Sequence, residues 1–333
     1  MKRAAPLALS LAILAGGLLG PLLAPGDPLA SAAPAALRLL PPGSRVPALL
    51  AVDGALLPLD GGVAPWRVEG DAVVARLRGG TERRVPLAGL AQDAAGMPRL
   101  TTLRFPLGTD RFGRDLLSRI VAGARVSLLI GLAGIGGAAL LALVLGLAAG
   151  LGGGLVDALL SRTGDAVLSF PRIVLVMVLA AWLAPSAGVL AALLALTGWP
   201  AIARLVRADA RVVARSELLA AARAAGAGPV RRALVHALPA VLPTLIVAAA
   251  LRAGSYLLME ASLSFLGFGV PPPDPSWGNI IADGREVLLE AWWVSTLPGV
   301  ALAAAVLAAN YLGDRARRAI EPRATPATTF RPR

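Results

Sequence analysis

The sequence predicts an all-α membrane protein of about six spanning helices with a small external insertion that contains β structure. Three observations carry that expectation. Of the 333 residues, 56% are hydrophobic and the mean hydropathy is +0.72, against an apolar share of about 45–50% in soluble domains. Long uncharged runs recur at the length a bilayer demands. The arginines gather on one side of those runs.

A hydrocarbon core of roughly 30 Å takes about 20 residues of helix, because lipid offers the backbone no other hydrogen-bonding partner. Ala4–Gly26, Val126–Val156, Ser186–Ala203 and Trp292–Gly313 carry no charge, while Ala166–Pro185 carries only Arg172 and Ala237–Met259 only Arg252. These runs predict helices over about 5–24, 126–148, 164–184, 187–205, 238–260 and 293–313. With aromatic residues at only 4%, the apolar character rests on Ala, Leu, Val and Gly, the residues that let membrane helices approach closely.

The first run follows Lys2 and Arg3, and Ala30-Ser31-Ala32 resembles a signal-peptide cleavage site. Its 23 uncharged residues exceed the about 7–15 of a signal peptide's apolar region, so a retained anchor is expected. Between the first and second helices lies a polar segment, residues 27–122. In it Trp66–Glu69 and Ala72–Arg78 flank the turn pair Gly70-Asp71, which reads as a small β-rich insertion; a spacer and a binding role are both open for it. From Asp115 to Ala124 the apolar positions recur at helical spacing, predicting an amphipathic helix on the outer surface that leads into the second span. The division is thus 1–26, N-terminal helix; 27–122, external segment; 123–314, membrane core with a loop over 206–236; and 315–333, tail.

Lys2 is the only lysine, so the net charge of +12 is an arginine charge. Long loops cross membranes largely regardless of charge, whereas short ones obey the positive-inside rule. On one side fall Lys2, Arg3, Arg162, the seven arginines from Arg204 to Arg232 and the six from Arg315 to Arg333; the short loops opposite hold Arg285 alone. Both termini are therefore expected on the cytoplasmic side of the membrane. The basic balance is a topology signal, and no nucleic-acid partner is expected. With no cysteine and one histidine, His236, no thiol chemistry, multi-histidine metal site or cofactor is expected. His236 reads as an interfacial hydrogen-bonding residue, and Trp292 and Trp293 as an interfacial aromatic belt.

The loop between the fourth and fifth predicted helices is the most informative stretch. Ser216 is a good N-cap, Glu217–Ala225 is Ala-rich with an acid in its first turn, and Gly226 is placed to stop it. A capped surface helix and a ridge that docks in a partner's groove both fit.

At this loop the chain resembles a known family. The run Glu217-Leu-Leu-Ala-Ala-Ala-Arg-Ala-Ala-Gly226, followed by His236-Ala-Leu-Pro239, is similar to the coupling-helix signature of type I ATP-binding-cassette importer permeases. Gly108-Thr-Asp110 with Gly113-Arg-Asp115, Glu260-Ala-Ser-Leu-Ser-Phe-Leu-Gly267 with Pro275-Ser-Trp-Gly-Asn279, and Asn310-Tyr-Leu-Gly-Asp314 with Glu321-Pro-Arg323 narrow the resemblance to the C-type subunit of dipeptide and oligopeptide permeases. It covers about Phe105 to Arg323, leaving residues 27–104 outside. The resemblance implies the type I permease fold, a second homologous permease, two ATPase subunits and an external substrate-binding protein. It also implies ATPase coupling through Glu217, Ala220, Ala221, Ala222 and Gly226. The signature glutamate is replaced here by Ala220, and Glu217, three residues earlier on the same helix face, is positioned to substitute.

Independently, a P-loop needs a lysine that reaches the phosphates, and Lys2 is far from any such pattern. The chain is expected not to be an enzyme, with ATP hydrolysis supplied by partners. A non-transporting receptor lacks a signalling domain, since only 20 residues follow Gly313. The cargo is left open between peptides and nickel or another solute. Arg252, Tyr256 and Glu260 lie four apart on one helix face. A charge in mid-span costs about 2.5–3.5 kcal/mol on insertion scales and faces a bundle interior or watery cavity, so these three are the candidates for the translocation pathway.

Overall fold

In the computed structural model the apolar runs fold as helices and the polar insertion as sheet. The structure describes residues 5–20, 28, 29, 31, 34–61, 65–78 and 80–320. Lys2, Arg3, the end of the first predicted helix beyond Gly20, most of the Ala30–Ala32 site, Glu321-Pro-Arg323 and the last three tail arginines lie outside the described residues.

Among the described residues four helices are long and apolar enough to cross a membrane: α2 (Leu116–Gly152), α5 (Ala187–Ala214), α7 through α8 (Pro229–Phe265) and α10 (Trp293–Ile320). A fifth span, predicted as one helix over 164–184, is instead a pair, α3 (Gly154–Leu168) and α4 (Arg172–Ala180), bent by 88°. Pro171 explains the break: it lacks an N–H and disfavours helical geometry at Phe170. At the end of α3 the Asp165 carbonyl accepts from both the Ser169 N–H at 3.0 Å and its hydroxyl at 2.9 Å. The sixth apolar helix, α1 (Ala5–Leu19), has 15 described residues, fewer than the about 20 of a full span. The amphipathic helix expected over 115–124 is the first part of α2, with Leu116, Ile120 and Ala124 buried.

The chain divides into two compact units, Met1–Gly16, Ser127–Leu263 and Ala303–Arg333 forming one, and Gly17–Val126 and Ser264–Leu302 the other. In the first, α2 and α5 lie parallel at a distance that small residues set. A Cβ on Gly134 or Gly146 would come within 2.9 Å of Leu194 or 2.8 Å of Val206. Helices α8 and α10 meet antiparallel, Gly254 against Asn310 and Gly313 against Ala250. Such close contacts supply packing where lipid provides no hydrophobic drive between helices. Helix α7 (Pro229–Arg231) passes through a π-helical turn, Arg232–Ala237, into α8 (Leu238–Phe265).

Among the described residues of the second unit six strands make two antiparallel three-stranded sheets, β2-β1-β6 and β3-β4-β5. They are β1 Ser44–Leu50, β2 Leu56–Pro58, β3 Trp66–Glu69, β4 Ala72–Arg76, β5 Glu82–Pro86 and β6 Leu100–Phe105. The hairpin at Gly70-Asp71 pairs Glu69 with Ala72, as the turn chemistry predicts. Leu49 of β1, Leu59 just after β2, and Val73 and Ala75 of β4 share a core with Leu90, while Val46 packs with Leu37, Leu40 and Phe105.

The Gly-Thr-Asp and Gly-Arg-Asp motifs tie this unit together. Asp110 is fully buried. Its Oδ1 accepts from the backbone N–H of Phe112 at 2.8 Å and of Arg114 at 3.0 Å. Its Oδ2 accepts from Arg114 Nε at 2.7 Å and Arg119 Nη1 at 2.6 Å. Asp283 on α9 (Trp277–Arg285) adds Arg119 Nη1 at 3.2 Å and Arg111 Nη2 at 3.4 Å, and Arg111 also pairs with Glu286. Thr109 Oγ1 donates to Leu37 O and accepts from Leu40 N. Gly108 has φ +81°, and a Cβ there would collide with the Leu40 carbonyl, so only glycine fits. Asp115 caps α2, accepting from Ser118 N at 2.8 Å.

The Pro-Ser-Trp-Gly-Asn motif starts α9. Ser276 and Asn279 form a reciprocal capping box, and Trp277 Nε1 donates to Ile120 O at 3.1 Å. Trp292 is exposed, as a belt residue should be. Trp293 is not one: it is buried, with Nε1 donating to Thr109 O at 3.3 Å.

Removing one member of a buried charge network strands its partners, at roughly 3–5 kcal/mol, whereas an exposed pair is worth about 0–1 kcal/mol. Asp110→Asn should therefore lower the thermal midpoint of the detergent-solubilised chain sharply, and Glu286→Gln, at a side chain 61% exposed, hardly at all. Equal midpoints for the two variants would contradict this ranking.

Candidate functional site

Two constellations in the first unit gather the residues singled out in the sequence. One is α6 (Glu217–Ala224), which begins directly after α5 ends. Ser216 Oγ accepts from Leu219 N at 3.3 Å and donates to Val213 O at 2.7 Å. At the far end Gly226 takes φ +79°. Gly226 N donates to Arg223 O and Ala227 N to Ala222 O, both at 2.9 Å, which is the paired bonding of a Schellman termination.

Leu219 anchors the helix, 1% exposed, with Ala222 half-buried beside it. The opposite face is open: Glu217, Leu218, Ala220, Ala221 and Gly226 are exposed. Glu217 and Ala220 share that face, as their spacing predicts. Of the predicted coupling residues, only Ala222 turns towards the chain.

Helix α5 is braced where it approaches α6. Asp157 on α3 accepts a bidentate pair from Arg207, Nε at 2.5 Å and Nη2 at 2.9 Å, and also pairs with Arg211. Asp165, two turns further on, accepts from Arg204 at 2.6 Å. This ladder was missed in the sequence. Two acids eight apart, opposite arginines spaced three and four apart, are the signal that could have found it.

The second constellation is on α8. Tyr256 and Glu260 are buried, 1% and 0% exposed, and Arg252 is half-buried. The three share one inward stripe, but the partner of Tyr256 is Arg172, not Arg252. The Arg172 guanidinium lies 4.2 Å over the Tyr256 ring, donates to the Leu194 carbonyl at 2.8 Å and approaches Thr197 Oγ1 at 3.3 Å. Thr197 itself donates to Leu193 O at 2.8 Å. These bonds fall in the turn of α5 that precedes Pro200. Gly198 makes the approach possible, since a Cβ there would overlap the Tyr256 hydroxyl. No carboxylate among the described residues pairs with Arg252, and none of their His, Asp and Glu side chains form a metal-binding group of three.

Residues 142–326, which include both constellations, match the family described as binding-protein-dependent transport system inner membrane component. The chain belongs to that family. It is 41% identical over 220 residues to the di/tripeptide transport system permease protein DppC of Pseudomonas aeruginosa, covering 66% of this chain and 73% of that one. It is 40% identical to a putative peptide transport system permease protein of Brucella suis (68% and 80% covered) and 39% identical to the probable D,D-dipeptide transport system permease protein DdpC of Escherichia coli (65% and 73% covered). A chain of the MetNI methionine ABC transporter in an inward-facing conformation superposes with a TM-score of 0.51 at 21% identity, over 62% of this chain and 98% of that one. The fold is therefore that of a type I importer permease. The β-sheets of the second unit precede the region matched to the transport-component family.

Gly198→Val should displace Tyr256 and Arg172 together and destabilise this inner-membrane component by about 1–3 kcal/mol, the range for overpacking. Gly188→Val, where no atom lies within 4 Å, is the control. Tyrosine near-ultraviolet dichroism should change for the first variant and not the second.

Proposed function

We propose that this chain is one of two permeases forming the path by which an ATP-driven importer passes peptides into the bacterial cytoplasm. The observation that carries the reading is α6, a doubly capped helix with one anchored and one open face, at the base of a long span within the family-matched region. An exposed Ala ridge with Glu217 at its start is the shape a groove on an ATPase accepts. The Asp157–Arg207–Arg211 brace makes α5 a stiff lever, so that displacement of α6 moves the spans. The relatives' names, which specify di- and tripeptides, D,D-dipeptides and peptides, favour peptides over nickel complexes.

On this reading two ATPase subunits meet α6 from the cytoplasm, a second permease faces the pathway helices, and an external binding protein delivers cargo. The arginine distribution supports cytoplasmic termini, with 206–236 as the coupling loop, 315–333 as a cytoplasmic tail and 27–122 outside. Arg252, half-buried and without a carboxylate partner, is the pathway residue proposed to meet a peptide's negative end; Tyr256 and Glu260 hold its face of α8 inward.

Ala221→Trp, on the open ridge, should reduce dipeptide uptake to background while membrane insertion and thermal stability stay normal. Uptake at the normal rate with the ATPases bound would rule out α6 as the contact. Arg252→Leu should insert and fold, since it removes a cost of about 2.5–3.5 kcal/mol. It should also change the uptake of free-carboxylate relative to amidated dipeptides by severalfold; identical ratios across such a panel would remove Arg252 from the pathway.

A further inference from the structure

The arginines around α6 differ in their partners. Arg204, Arg207 and Arg211 pair with Asp165 and Asp157. Arg223 and Arg232 have no carboxylate partner among the described residues, and Arg232 Nε is buried with no hydrogen-bond partner. These two line one groove of about 450 Å³ between the end of α2 and the α6–α7 turn, a volume within the range of ligand sites. All other lining residues are aliphatic, glycine or proline, with Leu147, Leu151, Leu219 and Leu234 among its walls.

An apolar trough with two cations and no anion fits an amphiphile with an anionic head. Its depth fits as well. The uncharged part of α2, Val126–Gly152, is about 40 Å long at 1.5 Å per residue, longer than the roughly 30 Å hydrocarbon core. Leu147 and Leu151 near its end therefore sit where acyl chains give way to headgroups. The face of α6 that lines the groove, Leu219 and Arg223 one turn apart, is also distinct from the ridge of Glu217, Ala220 and Ala221 assigned above to the ATPase. We infer that the groove holds one anionic phospholipid, its acyl chain along the four leucines and its phosphate between Arg223 and Arg232. Bound there it braces α6 from behind, making membrane lipid a structural partner of the coupling helix. The inference does not depend on the identity of the cargo.

Native mass spectrometry of the full chain in uncharged detergent, with equal phosphatidylglycerol and phosphatidylcholine, tests it. Two arginines near a lipid phosphate predict a preference for phosphatidylglycerol of about thirtyfold. Arg223→Gln with Arg232→Gln should abolish that preference. Arg215→Gln with Arg231→Gln, at exposed arginines outside the groove, should keep it, and Leu147→Trp, which fills the trough, should lower retention of both lipids. Equal retention of the two lipids by the unaltered chain would overturn the inference, as would loss of preference in the Arg215/Arg231 control. Competition by inorganic phosphate as strong as by the lipid would reduce the site to an anion site and overturn the lipid. A crosslink from the groove to an ATPase in lipid-free transporter would give the trough to a protein partner, with the same consequence.

Discussion

Each polar group that enters a bilayer must find its partner inside the protein, and the structure is organised by that constraint. It makes the apolar runs helical, and it explains what surrounds each departure from a regular helix. At the break before Pro171 the Ser169 hydroxyl turns back to the Asp165 carbonyl of its own helix. In the turn of α5 before Pro200, Thr197 and Arg172 keep their polar groups bonded by donating to the Leu193 and Leu194 carbonyls. Glycines at the contacts of α2 with α5 and α8 with α10 bring backbones close enough for packing to replace the hydrophobic drive that lipid removes.

Charges obey the same rule and thereby acquire roles. The network of Asp110, Asp283 and Glu286 with Arg111, Arg114 and Arg119 balances its signs and fixes the loop before α2 to α9. The Asp157 and Asp165 ladder stiffens α5. Among the charges without a carboxylate partner, Arg252 on α8 and the Arg223 and Arg232 pair are the positions assigned to cargo and to lipid. A transporter that works by moving helices against one another has reason to concentrate unanswered charge where something else arrives.

The element types were largely legible in the sequence because each rests on local chemistry. The Ser216 cap, the Gly226 stop and the Gly70-Asp71 hairpin are set by a few adjacent residues, and the structure has all three. Long apolar runs located the spans, but hydropathy averages over a window and is blind to a single proline; hence one helix was expected over 164–184 where Pro171 divides two. What stayed hidden depends on residues far apart in the chain. Arg172 looked like a terminal charge and instead covers Tyr256, 84 positions away. Trp293 looked like an interfacial aromatic and is buried because Thr109 presents it a carbonyl. The inward stripe on α8 followed from spacing, while its true partner did not.

The central claim is that the open face of α6 is where ATP hydrolysis reaches the membrane helices. The chain contains no cysteine, so Ala221→Cys is a unique attachment point for a photoactivatable crosslinker. In membranes from cells producing the whole transporter, the account predicts an adduct between position 221 and an ATPase subunit, and no labelling of that cysteine by an impermeant maleimide in intact cells. Labelling from outside intact cells, with no ATPase adduct, would contradict it.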